Sequence, residues 1–294
     1  MINHISSIAN FSDENIGINA LELLKQPSVL NVSKTLHEPR AEDYNNMAGL
    51  YRTQGLYDKM IEAYEKALEI RESSLGLMHL KTGNSYNKLA EAYHAIGQDE
   101  KALELYLKAV TIREKLLGKT HSDTALLYSN LSHVYHAMNV IDKAFEFCGK
   151  ALNIRVDALG YDHPYTANSY NDLAELYASQ TEYSLALPLF QKALKIRKKI
   201  LRMSHPDTAT SYHNLAICYY HLFQYNDAYN ALKQAIDIRA LFFAKEHPSL
   251  VNAKKNLVEI EKKMVENYQT FNPSVFGRIV KFFQSKFKLS ETYN

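Results

Sequence analysis

The chain has 294 residues, of which 46% are hydrophobic and 22% are charged, and its formal net charge is +2. This composition is typical of a soluble protein, and so small a charge gives no reason to predict a nucleic-acid partner. No apolar run approaches the ~18 residues of a membrane span. The N-terminus lacks the basic start and apolar stretch of a signal peptide. We therefore expect a cytoplasmic protein.

The sequence repeats with a period of 42 residues. Histidine, tyrosine and arginine each return at this step, in series that run from His37 to His247, from Tyr51 to Tyr219 and from Arg71 to Arg239. A fixed period between 20 and 50 residues is the sequence signature of a solenoid. We predict five repeats, at residues 37–78, 79–120, 121–162, 163–204 and 205–246.

Residues 1–36 do not fit the repeat. Two short helices are predicted there, and Pro27 should end the first of them. Terminal units of solenoids are usually atypical because they cover an exposed end. We expect residues 1–36 to cap the first repeat.

Each repeat is predicted to form two helices, A and B. In the second repeat, helix A places apolar residues at i, i+3, i+4 and i+7, which form one stripe on a helix. These residues are Tyr86, Leu89, Ala90 and Tyr93. Gly97 follows, and glycine tolerates the left-handed conformation that ends helices. Helix B comes next, with apolar positions at Ala102, Tyr106, Ala109, Val110 and Ile112.

The helix sequences YNKLAEAY, YNDLAELY and YHNLAICY, with KALELYLKAVTIRE and LALPLFQKALKIRK, resemble tetratricopeptide repeats. The His-Pro starts, the NLA cores, the IR endings and the period are similar to the long-helix repeats of kinesin light chain. The resemblance covers residues 37–257. It implies an all-α fold, a right-handed superhelical solenoid of helix pairs. The sequence lacks the heptad coiled coil by which a kinesin light chain would join its motor, so a kinesin subunit is not predicted.

The repeat pattern decays after His247. Charged side chains crowd this stretch, as the outer face of a terminal cap requires, and residues 247–271 are predicted to form a C-terminal cap helix. Residues 272–294 are predicted to form a basic amphipathic helix and tail. Two interpretations of it stay open: it packs on the last repeat or in the groove, or it binds an anionic membrane surface through residues 273–288.

The binding surface is predicted on the side of helix A opposite the apolar stripe, at positions 84, 87, 91, 94 and 95 of the second repeat. In a tetratricopeptide stack, this side lines the concave groove. The 42-residue step extends these positions to the other repeats. The predicted groove residues are Asn45, Asn87, Asn171, His213, Asn84, Asn168, Glu91, Glu175, Arg52, His94, His136 and Tyr220.

The asparagines at position 87 and its equivalents suit an extended peptide. A side-chain amide offers a donor and an acceptor, so it can pair with any peptide backbone. The resemblance implies that kinesin light chain grooves use asparagine in this way on extended cargo. A structural role is the alternative. We expect a structural role for the neighbouring Asn46, Asn130 and Asn214, for the recurring arginines and for the repeat-start histidines.

No catalytic motif is present, so the protein is not predicted to be an enzyme, and no cofactor is predicted. His94, His133 and His136 form a cluster, but no cysteine or close carboxylate completes a zinc site, so no metal site is predicted. The two cysteines, Cys148 and Cys218, fall at apolar repeat positions. We expect them to be buried thiols in a reducing compartment.

The predicted function is a scaffold or adaptor that binds a partner protein as an extended peptide in the concave groove. Two alternatives stay open. One is an adaptor recruited to a membrane by the C-terminal amphipathic helix, and the other is a bacterial effector that captures host proteins.

Overall fold

Helices account for nearly all of the chain that the computed structural model describes, residues 40–201 and 204–271. Within these residues there are eleven α-helices and no strand. They are α1 (Ala41–Thr53), α2 (Tyr57–Leu75), α3 (Leu80–Ala95), α4 (Asp99–Leu117), α5 (Ser122–Ala137), α6 (Ile141–Leu159), α7 (Pro164–Ser179), α8 (Tyr183–Ile200), α9 (Pro206–His221), α10 (Tyr225–Arg239) and α11 (Pro248–Phe271). The predicted all-α fold is confirmed. The predicted N-terminal cap at 1–36 and the basic segment at 272–294 lie outside the described residues.

A histidine caps the start of each A helix from the second repeat onward. The Nδ1 atom of His79 accepts a hydrogen bond from the backbone N–H of Lys81 at 3.1 Å. The same bond recurs at His121, His163 and His205. It satisfies one of the backbone donors that a helix start leaves without a partner. The prediction that these histidines are helix-start residues is confirmed.

The turn from helix A to helix B requires one residue in the left-handed conformation. The φ angle is 69° at Gly55, 74° at Gly97 and 60° at Asn139, as expected for residue types that tolerate this region. Thr181 and Phe223 occupy the equivalent positions, each with φ of 61°. The turn geometry is therefore retained where the sequence does not favour it.

The chain divides into two compact units after Asn139. In the first unit, α1 to α5 follow one another, and each helix packs against the next. Alanines contribute to the packing of α3 on α4: Ala90 of α3 and Ala102 and Ala109 of α4 are fully buried. Larger side chains such as Tyr106 and Leu131 fill the space between them.

The second unit contains α6 to α11, and its core continues into the last helix. Phe190, Leu215 and Leu232 belong to the same buried cluster as Leu250 and Ile260 of α11. The thiols of Cys148 and Cys218 are 1% and 0% exposed, so their predicted core positions are confirmed. Because α11 packs against α10, it takes part in forming the surface at this end of the unit.

Candidate functional site

The candidate site is the set of helix A positions opposite the apolar stripe, which we call the groove face. It consists of the residues equivalent to Asn84, Asn87, Glu91 and His94 in each repeat. The structure separates these positions into three groups: side chains held by a buried arginine, buried amides, and side chains that line a cavity. Each group has different chemistry available for a ligand.

The first group is held by the recurring arginines. Arg113 donates to the Asn84 side-chain oxygen at 2.8 Å, and Arg197 donates to that of Asn168 at 2.9 Å. Arg197 is only 6% exposed, and its other terminal nitrogen donates to the Ser211 hydroxyl of the next repeat at 2.7 Å. The predicted structural role of these arginines is confirmed. Asn84 and Asn168 thus each connect helix A to helix B of one repeat.

Arg71 shows the same arrangement in the first repeat, where a carboxylate takes the place of the amide. It donates to Glu42 at 2.7 Å and to the hydroxyl of Ser85 at 2.8 Å. The repeated element is therefore one arginine side chain. It extends from helix B and bonds to helix A of its own repeat and to helix A of the next repeat. Burial lowers the pKa of Arg113, Arg155 and Arg197, as expected for charges removed from water.

The second group is a pair of buried amides, Asn87 in the first unit and Asn171 in the second. They are 4% and 7% exposed. Asn87 accepts a hydrogen bond from the Asn130 amide at 2.9 Å and donates to Glu91 at 2.6 Å. This Asn-Asn-Glu relay connects consecutive A helices, α3 and α5.

The relay recurs in the second unit. Asn171 accepts from Asn214 at 3.1 Å and donates to Glu175 at 2.8 Å. Each amide thus uses one N–H and one oxygen lone pair on partners in the protein, and burial leaves little of the rest open to a ligand. Direct contact of Asn87 and Asn171 with a peptide stays a prediction.

Asn45 has the same position in the first repeat but lacks the relay. Its side-chain oxygen is buried without a hydrogen-bond partner. The partners of Asn87 and Asn171 lie 43 residues further along the chain, and the residue at that step from Asn45 is Lys88. Lys88 forms a salt bridge with Glu91 at 3.0 Å and so leaves Asn45 without an amide donor.

Three further predicted groove residues lie near the ends of A helices in the first unit. The Nδ1 atom of His94 lies 2.5 Å from a carboxylate oxygen of Asp99, so this side chain ties the end of α3 to the start of α4. Arg52 is exposed and His136 is half-buried.

The third group surrounds a cavity of about 250 Å³ in the second unit. Two predicted residues, His213 and Tyr220, lie on its wall together with Ile217 of the same helix. The opposite wall comes from α11 through Asn256, Glu259 and Ile260. Ile217 is 40% exposed, so the cavity opens beside an apolar side chain on the groove face.

His213 supplies an imidazole to the wall of this cavity. Its Nδ1 atom is buried and has no hydrogen-bond partner among the described residues. Burial, together with the positive charge of Arg239, lowers the pKa of His213. The imidazole is therefore neutral at pH 7 and adds no charge to the wall.

Sequence reasoning missed the contribution of α11 to the cavity. Asn256 lies one repeat after Asn214, and Glu259 lies two repeats after Glu175, so the 42-residue step could have found both. The charged residues of this helix led instead to the prediction of a terminal cap. A larger cavity of about 480 Å³ lies between α8, α9 and α10 and contains no predicted groove residue.

Two other kinds of site are absent from the described part of the chain. No three His, Cys, Asp or Glu side chains in residues 40–201 and 204–271 are arranged to hold a metal ion. None of the eleven helices is long and apolar enough to cross a membrane.

Family comparisons agree with the helix pairs and the repeated contacts. A family profile described as tetratricopeptide repeat matches residues 41–115 and 123–199, and a second profile of that description matches residues 208–249. The chain belongs to the tetratricopeptide repeat family. No curated protein matches the sequence.

Solved structures of kinesin light chain-like repeat proteins are similar to this repeat protein. One is the structure of nearly identical TPR-like repeats of a Podosopora anserina kinesin light chain, which shares 28% sequence identity with this chain at a TM-score of 0.57. The match covers 69% of this chain and 98% of that chain. Another is BtubC (BKLC) from P. vanneervenii, which shares 24% sequence identity at a TM-score of 0.60, and the match covers 68% of this chain and 80% of that chain. The resemblance to kinesin light chain-like repeats is confirmed, and the family supports a general role as a protein-interaction scaffold.

Proposed function

We propose that this repeat protein is an adaptor that binds a partner protein as an extended peptide along the groove face. The observation that carries the proposal is the cavity beside Ile217, where positions predicted from the 42-residue step surround one opening. Leu126 of the first unit, also at a groove-face position, is 42% exposed. Exposed apolar side chains on a helix face offer contact area that a partner can remove from water.

The exposed groups of the groove face suit a peptide better than a rigid domain. Repeat stacks form extended binding surfaces because each repeat adds one copy of the same face. Within one unit, consecutive A helices lie ~8–10 Å apart, which about three residues of an extended peptide can span. Each repeat would then meet a similar portion of the ligand. The alternative of membrane recruitment depends on residues 273–288, which lie outside the described residues.

The test compares two matched double variants in affinity capture from the native cell. The groove variant carries Leu126→Asp and Ile217→Asp. The control variant carries Leu107→Asp and Leu185→Asp, which are 42% and 49% exposed on B helices. We expect partners captured by the unmodified chain to be lost with the groove variant and kept with the control. Circular dichroism must show that both variants are folded.

Retention of every partner by the groove variant would contradict the proposal. Loss of the same partners with the control variant would also contradict it and would move the interaction to the B helices. Either result leaves the family assignment untouched, because that assignment depends on the repeat sequence and the fold.

A further inference from the structure

The groove face of the second unit carries an alternation of charge and apolar surface. Consecutive A helices place Glu175, Ile217 and Glu259 at the same repeat position, one on each of α7, α9 and α11. Both glutamates are exposed, and Ile217 is 40% exposed between them. The cavity opens at Ile217 and includes Glu259 in its rim. A ligand that crosses these helices therefore meets acid, apolar surface and acid in turn.

The first carboxylate is held in place by the protein. One oxygen of Glu175 accepts hydrogen bonds from Asn171 at 2.8 Å and from Asn214 at 3.1 Å. Its second oxygen has no hydrogen-bond partner among the described residues. The carboxylate thus loses little side-chain freedom when a ligand cation binds, and this loss is a main cost of exposed ion pairs.

The second carboxylate, Glu259, makes no salt bridge with a described residue. The nearby Lys263 is instead paired with Glu266 at 2.8 Å, although its charge also acts on Glu259 at longer range. His213 is neutral because burial lowers its pKa, so this side chain adds no positive charge to the wall. Arg197 acts on Glu175 from a buried position, so the two exposed carboxylates are the charged groups that a ligand cation can approach.

The spacing of the three side chains selects a backbone conformation. Helices ~8–10 Å apart place the two glutamates ~16–20 Å apart, with Ile217 midway. A polyproline II helix advances ~3.1 Å per residue with three residues per turn, so one turn covers about 9 Å. Residues i, i+3 and i+6 then point to the same side and match the helix spacing. A β-strand would turn the middle side chain away.

We propose that this surface binds a partner segment in the polyproline II conformation that carries an aliphatic side chain flanked three residues away on each side by lysine or arginine. The aliphatic group enters the cavity beside Ile217. The two cations meet Glu175 and Glu259. This inference rests on the proposed function, since it names the ligand chemistry of the same groove face.

The test uses three fluorescein-labelled heptapeptides and the full chain at low ionic strength, where exposed charges are least screened. The first is Lys-Pro-Pro-Leu-Pro-Pro-Lys. The second replaces both lysines by glutamate, and the third, Pro-Lys-Pro-Leu-Pro-Lys-Pro, moves the lysines out of register. Fluorescence anisotropy measures binding. We expect the first peptide to bind at least tenfold more tightly than either of the others.

A charge-reversal variant makes the test specific to the two glutamates. With Glu175→Lys and Glu259→Lys, the preference should reverse in favour of the glutamate peptide. The matched control carries Asp237→Lys and Glu261→Lys, which make the same change in net charge at exposed positions outside the cavity lining. The control should keep the order of the unmodified chain.

Several results would overturn the inference. Equal binding of the lysine and glutamate peptides, or no binding of any peptide, would remove the charge assignment but leave the proposed groove face to be judged by partner capture. Binding that persists in an Ile217→Asp variant would place the peptide elsewhere and count against the proposed function as well. Binding only after Arg278→Glu and Lys281→Glu would identify the chain's own C-terminal segment as the occupant and refute the partner.

Discussion

The relay of Asn171 can be tested by comparing it with Asn45, which has the same repeat position without the relay. Replacing Asn171 by alanine removes two hydrogen bonds, one from Asn214 and one to Glu175. A typical intramolecular hydrogen bond contributes about 1 kcal/mol net, and the value stays near this level here because Glu175 is exposed. We therefore expect Asn171→Ala to lower the free energy of unfolding by about 2 kcal/mol.

Asn45→Ala should behave differently. The oxygen of Asn45 is buried without a partner, so its removal eliminates an unsatisfied acceptor and breaks no bond. The expected change in stability is within about 0.5 kcal/mol. The two substitutions are chemically identical, and the amide relay alone distinguishes their environments.

The assay is urea unfolding followed by circular dichroism, analysed with nearest-neighbour coupling because a repeat array need not unfold in one step. The double variant Asn171→Ala with Asn214→Ala, measured beside both single variants, completes a double-mutant cycle. Its loss of stability should be smaller than the sum of the losses in the two single variants, since both substitutions remove the same hydrogen bond. Equal stability of the Asn171 and Asn45 variants would refute the relay and favour a role for Asn171 in ligand binding alone.

Three further predictions follow from other repeated positions. Thr181→Gly should raise the free energy of unfolding by about 1 kcal/mol, because a β-branched residue is strained at φ of 61°. Gly97→Ala, where φ is 74° and no atom obstructs a new Cβ, should lower the free energy of unfolding by a similar amount. Thermal melts would measure both changes. Burial raises the pKa of the Cys218 thiol to about 11, so a thiol reagent should leave it unmodified at pH 8 in the folded chain. The contribution of this thiol to stability should be constant below about pH 8, near the ordinary thiol pKa, and should be lost as the pH rises towards 11, a decline that Cys218→Ala should reduce. Arg197→Ala removes hydrogen bonds to two helices and should lower the free energy of unfolding by about 2–4 kcal/mol. Urea unfolding measures this change, and an unchanged urea midpoint would contradict the structural role of Arg197.

The helix pairs and their turns could be predicted from the sequence because local chemistry determines them. The cap at His79 and the left-handed turn at Gly97 each depend on residues within a few positions along the chain. The apolar stripe of Tyr86, Leu89 and Ala90 likewise follows from the 3.6-residue period. Such features need no knowledge of which helices are neighbours in space.

The chemistry of the asparagines could not be predicted in the same way. Position 87 lies at the edge of the groove face that adjoins the apolar stripe, so helical geometry alone allows its amide to face a ligand or the next helix. The partner of Asn87 is Asn130, one repeat and one residue further on. That choice depends on side-chain rotamers and on the identity of a residue 43 positions away. Lys88 shows that one substitution there removes the bond altogether.

The distinction between buried amides and exposed carboxylates changes how selectivity could arise on such a repeat. If the amides of Asn87 and Asn171 mainly hold consecutive A helices together, they keep the groove face in one geometry and orient Glu91 and Glu175. Ligand preference then depends on the residue at the 91 position, which varies along the chain from Gly49 through glutamate to Ile217. A structural relay that recurs in the second and fourth repeats, beside a contact position that varies, lets one scaffold present different charge patterns without altering its packing.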